Sequence, residues 1–339
     1  MVRVKRAKPR LLVLAPDILF RSFFDSGRRR RLTRSFAWTV LADRSTPRLR
    51  PALAIAEALV TTWDSPRFDG GLLRDAPRLR AIGHCGGEVK GRFAPELLER
   101  LTVTHAPAPM AGPVAELAVT LLLHAARNVD AYRRALGRPS NAIYRRLHRE
   151  GAGPETVRGR AVGLLGFGQV GRAVAELMRP FGARLLVHDP HVTAAAIRRL
   201  GGTPSSWREL LAAPYLILAA ALTDDTRGLL DARALACLPD GAVVINVARG
   251  GLVDLAALTR EVRAGRLRCA LDVTDPEEPL PLRHPLRRAV GAVLTPHVGA
   301  AHREVRGHIA DTVLEDLERF FRGQAVRNRV TVAMLERMT

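Results

Sequence analysis

Residues 161–172, AVGLLGFGQVGR, constrain the fold of this chain more than any other stretch. An apolar run leads directly into Gly166, and two more glycines follow at Gly168 and Gly171 where a helix-like stretch begins. In a strand–turn–helix unit the first glycine allows a tight turn. The second lets backbone N–H groups approach a pyrophosphate, and the third lets the helix pack on the strand. The helix N-terminus then faces the phosphates with the positive end of its dipole. The stretch therefore predicts a dinucleotide site made of Gly166, Phe167, Gly168, Gln169, Val170 and Gly171.

A second apolar run, residues 183–188, ends at Asp189. An acidic residue about 20 residues past the glycines, at the end of the second strand, is where the ribose hydroxyls of the adenosine are held. A carboxylate there repels a 2′-phosphate, so NAD is favoured over NADP as the cofactor. The alternative is a structural glycine turn beside a helix-capping Asp189.

Short apolar runs alternate with helix-like segments on both sides of this unit, which indicates parallel sheets covered by helices. We therefore predict an α/β chain with two doubly wound parallel-sheet domains. A long apolar helix is expected over residues 113–134, with Pro113 in its first turn. Another helix, over residues 301–322, could return to the first domain. The predicted strands are 11–14, 37–41, 58–62, 79–82, 101–104, 161–165, 183–188, 215–219, 242–246, 267–271 and 291–295.

The net charge of +20 is typical of proteins that bind nucleic acid. The arginines are scattered over the whole chain, however, and we interpret the dense run 28–31 as a solvated loop or helix face. We therefore expect no nucleic-acid partner, although a small anionic substrate would benefit from the positive field. Nucleic-acid binding stays a minor alternative, which salt-dependent binding to DNA would support.

The sequence contains no run of about 20 uncharged apolar residues, so we predict no membrane span. Residues 11–14 form an apolar run too short for a signal-peptide core. Cys85, Cys237 and Cys269 lie far apart, which fits neither a disulfide framework nor a metal cluster. The expected location is a reducing cytoplasm.

Polar residues that suit anion binding follow two predicted strands. Gly86 and Gly87 come after the strand that ends near residue 82, where they can offer backbone N–H groups to an anion. Arg249 lies in a glycine-flanked turn after the run 243–247, and its guanidinium suits bidentate binding of a carboxylate. The alternatives are a plain turn and a surface arginine.

Titratable residues follow two further strands. Asp272 ends one of them, and Glu277 and Glu278 lie in the proline-bounded loop that follows. His297 comes after the other. An imidazole beside either glutamate would have a raised pKa and a fixed tautomer, as a general acid near neutral pH requires.

In combination, these motifs resemble the D-isomer-specific 2-hydroxyacid dehydrogenase family, the phosphoglycerate dehydrogenase-like group. The resembling segments are GLLGFGQVG with Asp189, TDDTRGLLD, INVARGGLVD, ALDVTDPEEPLP and LTPHVG. The resemblance implies a Rossmann NAD-binding domain, residues 113–300, inserted in a flavodoxin-like substrate domain made of residues 1–112 and 301–339. It also implies an active site in the cleft and a homodimer formed through the nucleotide domain.

The resemblance assigns roles residue by residue. Arg249 matches the arginine that grips the substrate carboxylate, and His297 matches the general acid/base. Counting from Asp272 favours Glu277 as the partner of His297, whereas counting back from Pro279 favours Glu278. Of the two, Glu277 is preferred.

The remaining assignments concern the cofactor and the substrate. Asp272 resembles the residue that meets the nicotinamide carboxamide, and Ala248 and Gly299 belong to the expected cofactor-binding set. Gly86 and Gly87 resemble the backbone that holds the substrate carboxylate.

The resemblance has departures and implies one reaction class. Ala219 and Ala221 stand where the family often has His and Pro, which leaves the cofactor pocket less well specified. Met110 stands where the family has Asn. The implied activity is hydride transfer between NADH and a 2-oxo acid or D-2-hydroxy acid. The alternative is an NAD-sensing interaction protein, similar to the corepressors that resemble this family.

Overall fold

Two parallel β-sheets organise the chain, as the sequence predicts. The structure is a computed structural model that describes residues 7–42, 48–137, 141–151, 156–336 and 338. Its strands are β1 (Arg10–Leu14), β2 (Ala37–Leu41), β3 (Ala58–Thr61), β4 (Ala81–His84), β5 (Thr102–His105), β6 (Ala161–Leu165), β7 (Arg184–His188), β8 (Thr203–Pro204), β9 (Tyr215–Leu218), β10 (Val243–Asn246), β11 (Arg268–Leu271), β12 (Ala292–Leu294) and β13 (Arg329–Val330).

Helices connect most of these strands. They are α1 (Asp17–Phe23), α2 (Ser26–Ser35), α3 (Leu49–Ile55), α4 (Gly71–Asp75), α5 (Pro95–Arg100), α6 (Ala108–Ala126), α7 (Val129–Leu136), α8 (Ala142–Glu150), α9 (Gln169–Met178), α10 (Ala194–Arg199), α11 (Trp207–Leu211), α12 (Ala232–Cys237), α13 (Leu255–Arg263), α14 (Arg303–Phe321) and α15 (Val332–Leu335). Short 3₁₀ turns occupy Arg179–Phe181, Gly250–Leu252 and Pro285–Arg288.

The chain divides into two compact units. Unit 1 comprises Met1–Met110 and Ala301–Thr339, and unit 2 comprises Ala111–Ala300. In sequence, unit 2 is therefore an insertion within unit 1. The sheet of unit 1 has the order β13-β5-β4-β3-β1-β2, and its five longer strands are parallel. This is the order of flavodoxin-like sheets, with the short antiparallel strand β13 added beside β5.

The sheet of unit 2 has the order β12-β11-β10-β9-β6-β7-β8, with all neighbours parallel. The direction of winding reverses between β6 and β9, as in the dinucleotide-binding Rossmann fold. Ligands of such sheets bind outside the carboxyl ends of the strands at this reversal. The predicted fold class is confirmed in both units.

Burial of both sheet faces explains why the strands of unit 2 are continuous apolar runs. Successive residues of a strand point to opposite faces. In β9, Tyr215 and Ile217 pack into one core cluster, whereas Leu216 and Leu218 pack into another. Parallel sheets covered on both faces have this sequence character.

The helix predicted over residues 113–134 is wrong in its bounds, because the structure has two helices there. α6 begins at Ala108 and ends at Ala126, so Pro113 lies inside the helix rather than in its first turn. Asn128 then takes a left-handed conformation, φ 50°, before α7 begins. A right-handed helix cannot continue through a residue in the left-handed conformation, so α6 and α7 are separate helices.

By length and composition alone, α6 is apolar enough to cross a membrane. Helices in the core of water-soluble proteins meet the same criterion, and Ala115, Ala118 and Leu122 of α6 are fully buried within unit 2.

The dense arginine run lies on α2, and only part of it is a solvated face. Arg28 reaches Asp311 of α14 at 2.6 Å, and Arg31 reaches Glu318 at 3.0 Å. These ion pairs stabilise the packing of α2 on α14 within unit 1. Arg29 and Arg30 are exposed and form the solvated part of the run.

The three cysteines are free thiols that differ in burial. Cys85 and Cys269 are buried, and Cys237 is exposed. Burial raises the pKa of the Cys85 thiol, and it raises the pKa of Cys269 to about 12.

Because the thiolate is the reactive form, we predict that Ellman's reagent titrates one thiol rapidly in the folded protein and all three in denaturant. Rapid modification of Cys85 or Cys269 in the folded protein would contradict this burial.

Candidate functional site

The glycine-rich turn after β6 has one open glycine between two that are tightly packed. Gly166 has φ 91°, and a Cβ on it would lie 2.6 Å from backbone atoms of Ala220. A Cβ on Gly171 would overlap the carbonyl oxygen of Gly166. A Cβ on Gly168 would meet no heavy atom within 4 Å. Gly166 therefore permits the close approach of the segment after β9, and Gly171 permits the close packing of α9 on the turn. Gly168 presents bare backbone to open space.

This turn fits the pyrophosphate of a dinucleotide. It lies at the carboxyl end of β6, where the winding of the sheet reverses. α9 begins at Gln169, and no side chain caps its N-terminus at Gly168. Among the described residues the N-terminus of the helix thus has no capping side chain, and its first N–H groups can bind phosphate oxygens. Phe167, Gln169 and Val170 belong to the same turn and the first turn of α9.

Asp189 follows β7 and ties the glycine turn to the neighbouring strand. One carboxylate oxygen accepts the N–H of Phe167 at 2.7 Å, and the other accepts the N–H of His191 at 2.9 Å. The carboxylate is therefore fixed beside the turn, at the end of the second strand, where a carboxylate can hold the ribose hydroxyls of a dinucleotide. Its negative charge opposes a 2′-phosphate there.

Arg249 is held by an asparagine that the sequence analysis does not single out. Asn246, which is 1% exposed, donates its side-chain amide to the carbonyl of Arg249 at 2.8 Å. The amide oxygen of Asn246 accepts the N–H of Ala248 at 3.0 Å. Arg249 itself donates to the carbonyl of Ala248 at 2.7 Å. These bonds determine the path of the turn that carries the guanidinium.

Asp272 is buried, 2% exposed, and organises the segment around His297. Its carboxylate accepts the hydroxyl of Thr295 at 2.6 Å, the N–H of Val298 at 2.9 Å and the N–H of Gly299 at 3.0 Å. Its carbonyl accepts the N–H of His297 at 2.9 Å. The buried charge is thus satisfied by hydrogen bonds, as buried charges must be.

His297 has a backbone conformation that is unusual for a residue with a side chain. Its φ is 54°, in the left-handed region. Such residues cost on the order of 1–3 kcal/mol and persist where the surroundings determine them. Here the hydrogen bonds to Asp272 on both sides of the histidine hold the conformation, and the ring is therefore aimed by Asp272.

The partner of His297 is Glu278, and the preference for Glu277 is wrong. Nδ1 of His297 lies 2.5 Å from Oε1 of Glu278. The loop turns so that the hydroxyl of Thr274 donates to the carbonyl of Glu277 at 2.6 Å. This bond fixes the backbone of Glu277, and it is the following residue whose side chain reaches the imidazole.

The Glu278 carboxylate raises the pKa of His297 above its ordinary value, chiefly through their hydrogen bond. Partial burial of the ring and the positive charge of Arg249 act in the opposite direction.

A close backbone approach joins the Arg249 turn to the Glu278 loop. A Cβ on Gly250 would overlap the carbonyl carbon of Thr274 and lie 2.5 Å from the amide nitrogen of Asp275. Only glycine allows this contact. The segments after β10, β11 and β12 therefore bring together Arg249, Asp272, Glu278 and His297, whereas Glu277 is not part of the cluster.

Gly86 and Gly87 lie in unit 1, directly after β4. The N–H of Gly86 donates to the carbonyl of His84 at 2.9 Å, so the expectation that Gly86 offers a bare N–H is wrong. The backbone folds back on itself there and satisfies that donor. The N–H of Gly87 donates to no acceptor among the described residues. The methyl group of Met110 lies over Gly87, 2.7 Å from where a Cβ would be.

Two other supporting residues were missed besides Asn246, namely Thr295 and Thr274. Thr295 directly follows β12, and Thr274 lies three positions after the end of β11. That signal is available in the sequence, but it is shared by many ordinary turns.

Comparison with known proteins identifies the relatives of this chain. Residues 119–299 match the model of the D-isomer specific 2-hydroxyacid dehydrogenase family, NAD binding domain. NAD is accordingly the cofactor that unit 2 binds.

Among curated proteins, a D-3-phosphoglycerate dehydrogenase of Mycobacterium leprae is 33% identical over 301 residues, which cover 87% of this chain and 54% of the relative. The chain thus spans about half the length of that relative. A glyoxylate reductase of Aeropyrum pernix is 33% identical over 288 residues, 81% of this chain and 83% of the relative.

Among solved structures, a Thermus thermophilus protein has a TM-score of 0.78 at 32% identity and covers 95% of this chain and 100% of its own. An NADPH-dependent glyoxylate/hydroxypyruvate reductase of Sinorhizobium meliloti has a TM-score of 0.76 at 26% identity and covers 96% and 98%, respectively.

The different surroundings of the glycines predict different effects of an added methyl group. In Gly171→Ala the methyl would overlap the carbonyl oxygen of Gly166, and overpacking of this kind costs about 1–3 kcal/mol in the free energy of unfolding. In Gly168→Ala the methyl has space, so stability should change by less than about 0.5 kcal/mol. NADH affinity should nevertheless fall about tenfold or more, because the methyl occupies the place of the phosphates. Urea unfolding and NADH fluorescence titration measure the two effects. Equal effects of both variants on stability and affinity would contradict the assigned roles.

The imidazole–carboxylate pair predicts that Glu278→Gln lowers the pKa of His297. The neutral amide no longer stabilises the imidazolium, and the opposing effects of burial and Arg249 remain. Glu277→Gln is the matched control and should leave that pKa unchanged. Titration of the His297 ring resonances by NMR gives both values. A lower pKa in Glu277→Gln, with none in Glu278→Gln, would overturn the pairing.

Proposed function

Because the chain belongs to the D-isomer specific 2-hydroxyacid dehydrogenase family, we propose that it transfers a hydride between NADH and a 2-oxo acid, forming a D-2-hydroxy acid. The observation that carries the proposal is the His297–Glu278 pair beside Arg249, at the edge of the sheet that also carries the glycine turn. A proton donor and a carboxylate-binding cation beside a cofactor site are the groups that carbonyl reduction requires.

Arg249 binds the substrate carboxylate. A guanidinium–carboxylate contact is a charge-assisted hydrogen bond of about 1.5–3 kcal/mol and, when bidentate, also fixes the orientation of the substrate. The hydrogen bonds of Asn246 to this turn support the role, since they limit the positions that the guanidinium can take. Orientation of this kind contributes to the rate by reducing the entropy lost in the reaction.

His297 is the general acid in reduction and the general base in oxidation. Its Nδ1 faces Glu278, so Nε2 is the nitrogen available to the substrate oxygen. In reduction the Nε2–H protonates the oxygen as the carbonyl carbon gains the hydride. Reduction needs the imidazolium, whose pKa is raised, so its rate should fall as the pH rises through that pKa.

The cofactor is held by the glycine turn and Asp189, and it supplies the hydride for the carbonyl carbon when bound. Asp272, Ala248 and Gly299 line the proposed nicotinamide side. The Asp272 carboxylate has about four lone-pair sites and accepts three hydrogen bonds. The remaining site can accept one carboxamide N–H.

The substrate is a small anionic 2-oxo acid. In the proposal the Gly87 N–H contributes to binding of its carboxylate, and Gly86 shapes the turn. The named relatives act on phosphoglycerate and glyoxylate, so glyoxylate, hydroxypyruvate, pyruvate, 2-oxoisocaproate and phosphohydroxypyruvate form the first panel. Oxidation of NADH, followed by its absorbance, ranks them by turnover.

Replacement of the proposed acid tests the mechanism. His297→Asn should lower kcat for the best 2-oxo acid by about 10²–10⁴, the usual contribution of a positioned proton donor. NADH affinity should change little, because His297 lies outside the glycine turn. Glu277→Gln, which changes a carboxylate outside the cluster, should keep turnover near that of the wild type.

Two outcomes would contradict the mechanism. Equal losses of turnover and NADH affinity in His297→Asn would remove the acid/base role. Tight NADH binding without turnover on this panel or on wider ones would instead favour an NAD-sensing interaction protein.

A further inference from the structure

An open groove of about 580 Å³ lies in unit 2, on the amino-end side of β10, β11 and β12. Its lining includes Val243 and Arg268, the first residues of β10 and β11, and Gly291, which precedes β12. The site of Arg249 and His297 lies beyond the opposite, carboxyl ends of these strands. The groove is therefore separate from the proposed catalytic site.

The groove concentrates positive charge. Four arginines line it, namely Arg134, Arg263, Arg268 and Arg288. Asp130 is the one carboxylate among its described lining residues. It already lies 3.4 Å from Arg133 and 3.9 Å from His124. The excess of guanidinium groups therefore stays largely uncompensated.

Arg268 is half-buried in the groove, and its hydrogen-bond acceptors among the described residues are neutral. Its Nη1 donates to the carbonyl of Ala125 at 3.0 Å and to the side-chain oxygen of Asn128 at 2.7 Å. Its Nε and Nη2 each lie 3.4 Å from the carbonyl of Gly241. No carboxylate among the described residues forms an ion pair with it.

The nearby Arg266 has carboxylate partners, whereas Arg268 has none among the described residues. Arg266, two residues earlier, pairs with Glu261 at 2.6 Å and with Asp240 at 3.6 Å. Loss of solvation lowers the pKa of Arg268, whereas ion pairing raises the pKa of Arg266. A partly desolvated cation without a counter-charge is unfavourable, and a bound anion would relieve that cost.

One ring nitrogen of His124, which also lines the groove, has no hydrogen-bond partner among the described residues. Nδ1 of His124 is buried and makes no hydrogen bond among the described residues. Buried polar atoms are usually satisfied by protein, water or a ligand, so such an atom needs an explanation. As its Nε2 lies near Asp130, Nδ1 remains to donate or accept a hydrogen bond at the groove.

We propose that this groove binds a small organic molecule carrying a phosphate group, with Arg268 as the central phosphate ligand. The planar guanidinium matches the geometry of phosphate oxygens, and the three arginines at the rim add positive field. The groove is larger than one phosphate needs. Val129 and Val262 give it an apolar wall against which the organic part of the ligand can pack.

The position of the groove connects it to the catalytic segment through one strand. β11 begins at Arg268 and ends at Leu271, directly before Asp272. At about 3.3 Å per residue, this strand places the backbone positions of Arg268 and Asp272 about 13 Å apart. A ligand on Arg268 would thus bind at the far end of the strand that leads to Asp272.

Titration calorimetry with inorganic phosphate tests the proposal. The protein is first saturated with NADH, so that the glycine turn is occupied, and ionic strength is kept constant with NaCl. We expect one phosphate per chain with a dissociation constant of about 1 mM or tighter. Arg268→Gln should weaken binding about tenfold or more, as loss of a charge-assisted hydrogen bond does. Arg198→Gln, an exposed arginine on α10 outside the groove, is the matched control and should bind as the wild type does.

A rim variant keeps the test decisive if Arg268→Gln does not fold. Arg263→Gln/Arg288→Gln removes two exposed charges and should also weaken phosphate binding, relative to Arg198→Gln/Arg199→Gln with the same net charge. Failure of the wild type to bind phosphate, or wild-type affinity in both groove variants, would overturn the proposal. Malonate serves as the carboxylate probe and is titrated into Arg249→Gln, because the proposed substrate site would otherwise bind it. Tighter binding of malonate than of phosphate to that variant would overturn the assignment of a phosphate group.

Discussion

The buried carboxylate of Asp272 is the constraint on which the candidate site depends. It accepts hydrogen bonds from the side chain of Thr295 and from the backbone of Val298 and Gly299, while its own carbonyl accepts the N–H of His297. These bonds surround a histidine with a left-handed backbone. Together they fix the backbone on both sides of the histidine. The direction of the imidazole is therefore determined at the end of β11.

The other parts of the site depend on the same edge of the sheet. Asn246 ends β10 and shapes the Arg249 turn, and Gly250 lets that turn approach the loop of Glu278. The glycine turn follows β6 at the reversal of winding. Because parallel strands end together, residues that lie about 100 positions or more apart in sequence can be gathered there by short loops. The backbone thus positions most of the site, and few side-chain hydrogen bonds are needed to fix the rest.

Much of this arrangement is predictable from the sequence, because it follows from periodicity and glycine placement. The apolar runs predict the two parallel sheets, and the spacing of Gly166, Gly168 and Gly171 predicts the turn. The choice between Glu277 and Glu278 is not predictable in this way, since it depends on how a proline-bounded loop turns. The helix break at Asn128 and the hydrogen bond from the Gly86 N–H to the His84 carbonyl each depend on the backbone conformation of one or two residues. Apolar periodicity carries no information about such local conformations.

Hydrogen exchange at Val298 and Gly299 tests the central claim most directly, namely that Asp272 holds the segment of His297. In Asp272→Asn one acceptor oxygen becomes an amide donor, which cannot accept an N–H. We predict that both amides are protected in the wild type and that at least one loses protection in Asp272→Asn, while the amides of β9 stay protected. Exchange of Val298 and Gly299 at the same protected rate in both proteins would contradict the claim.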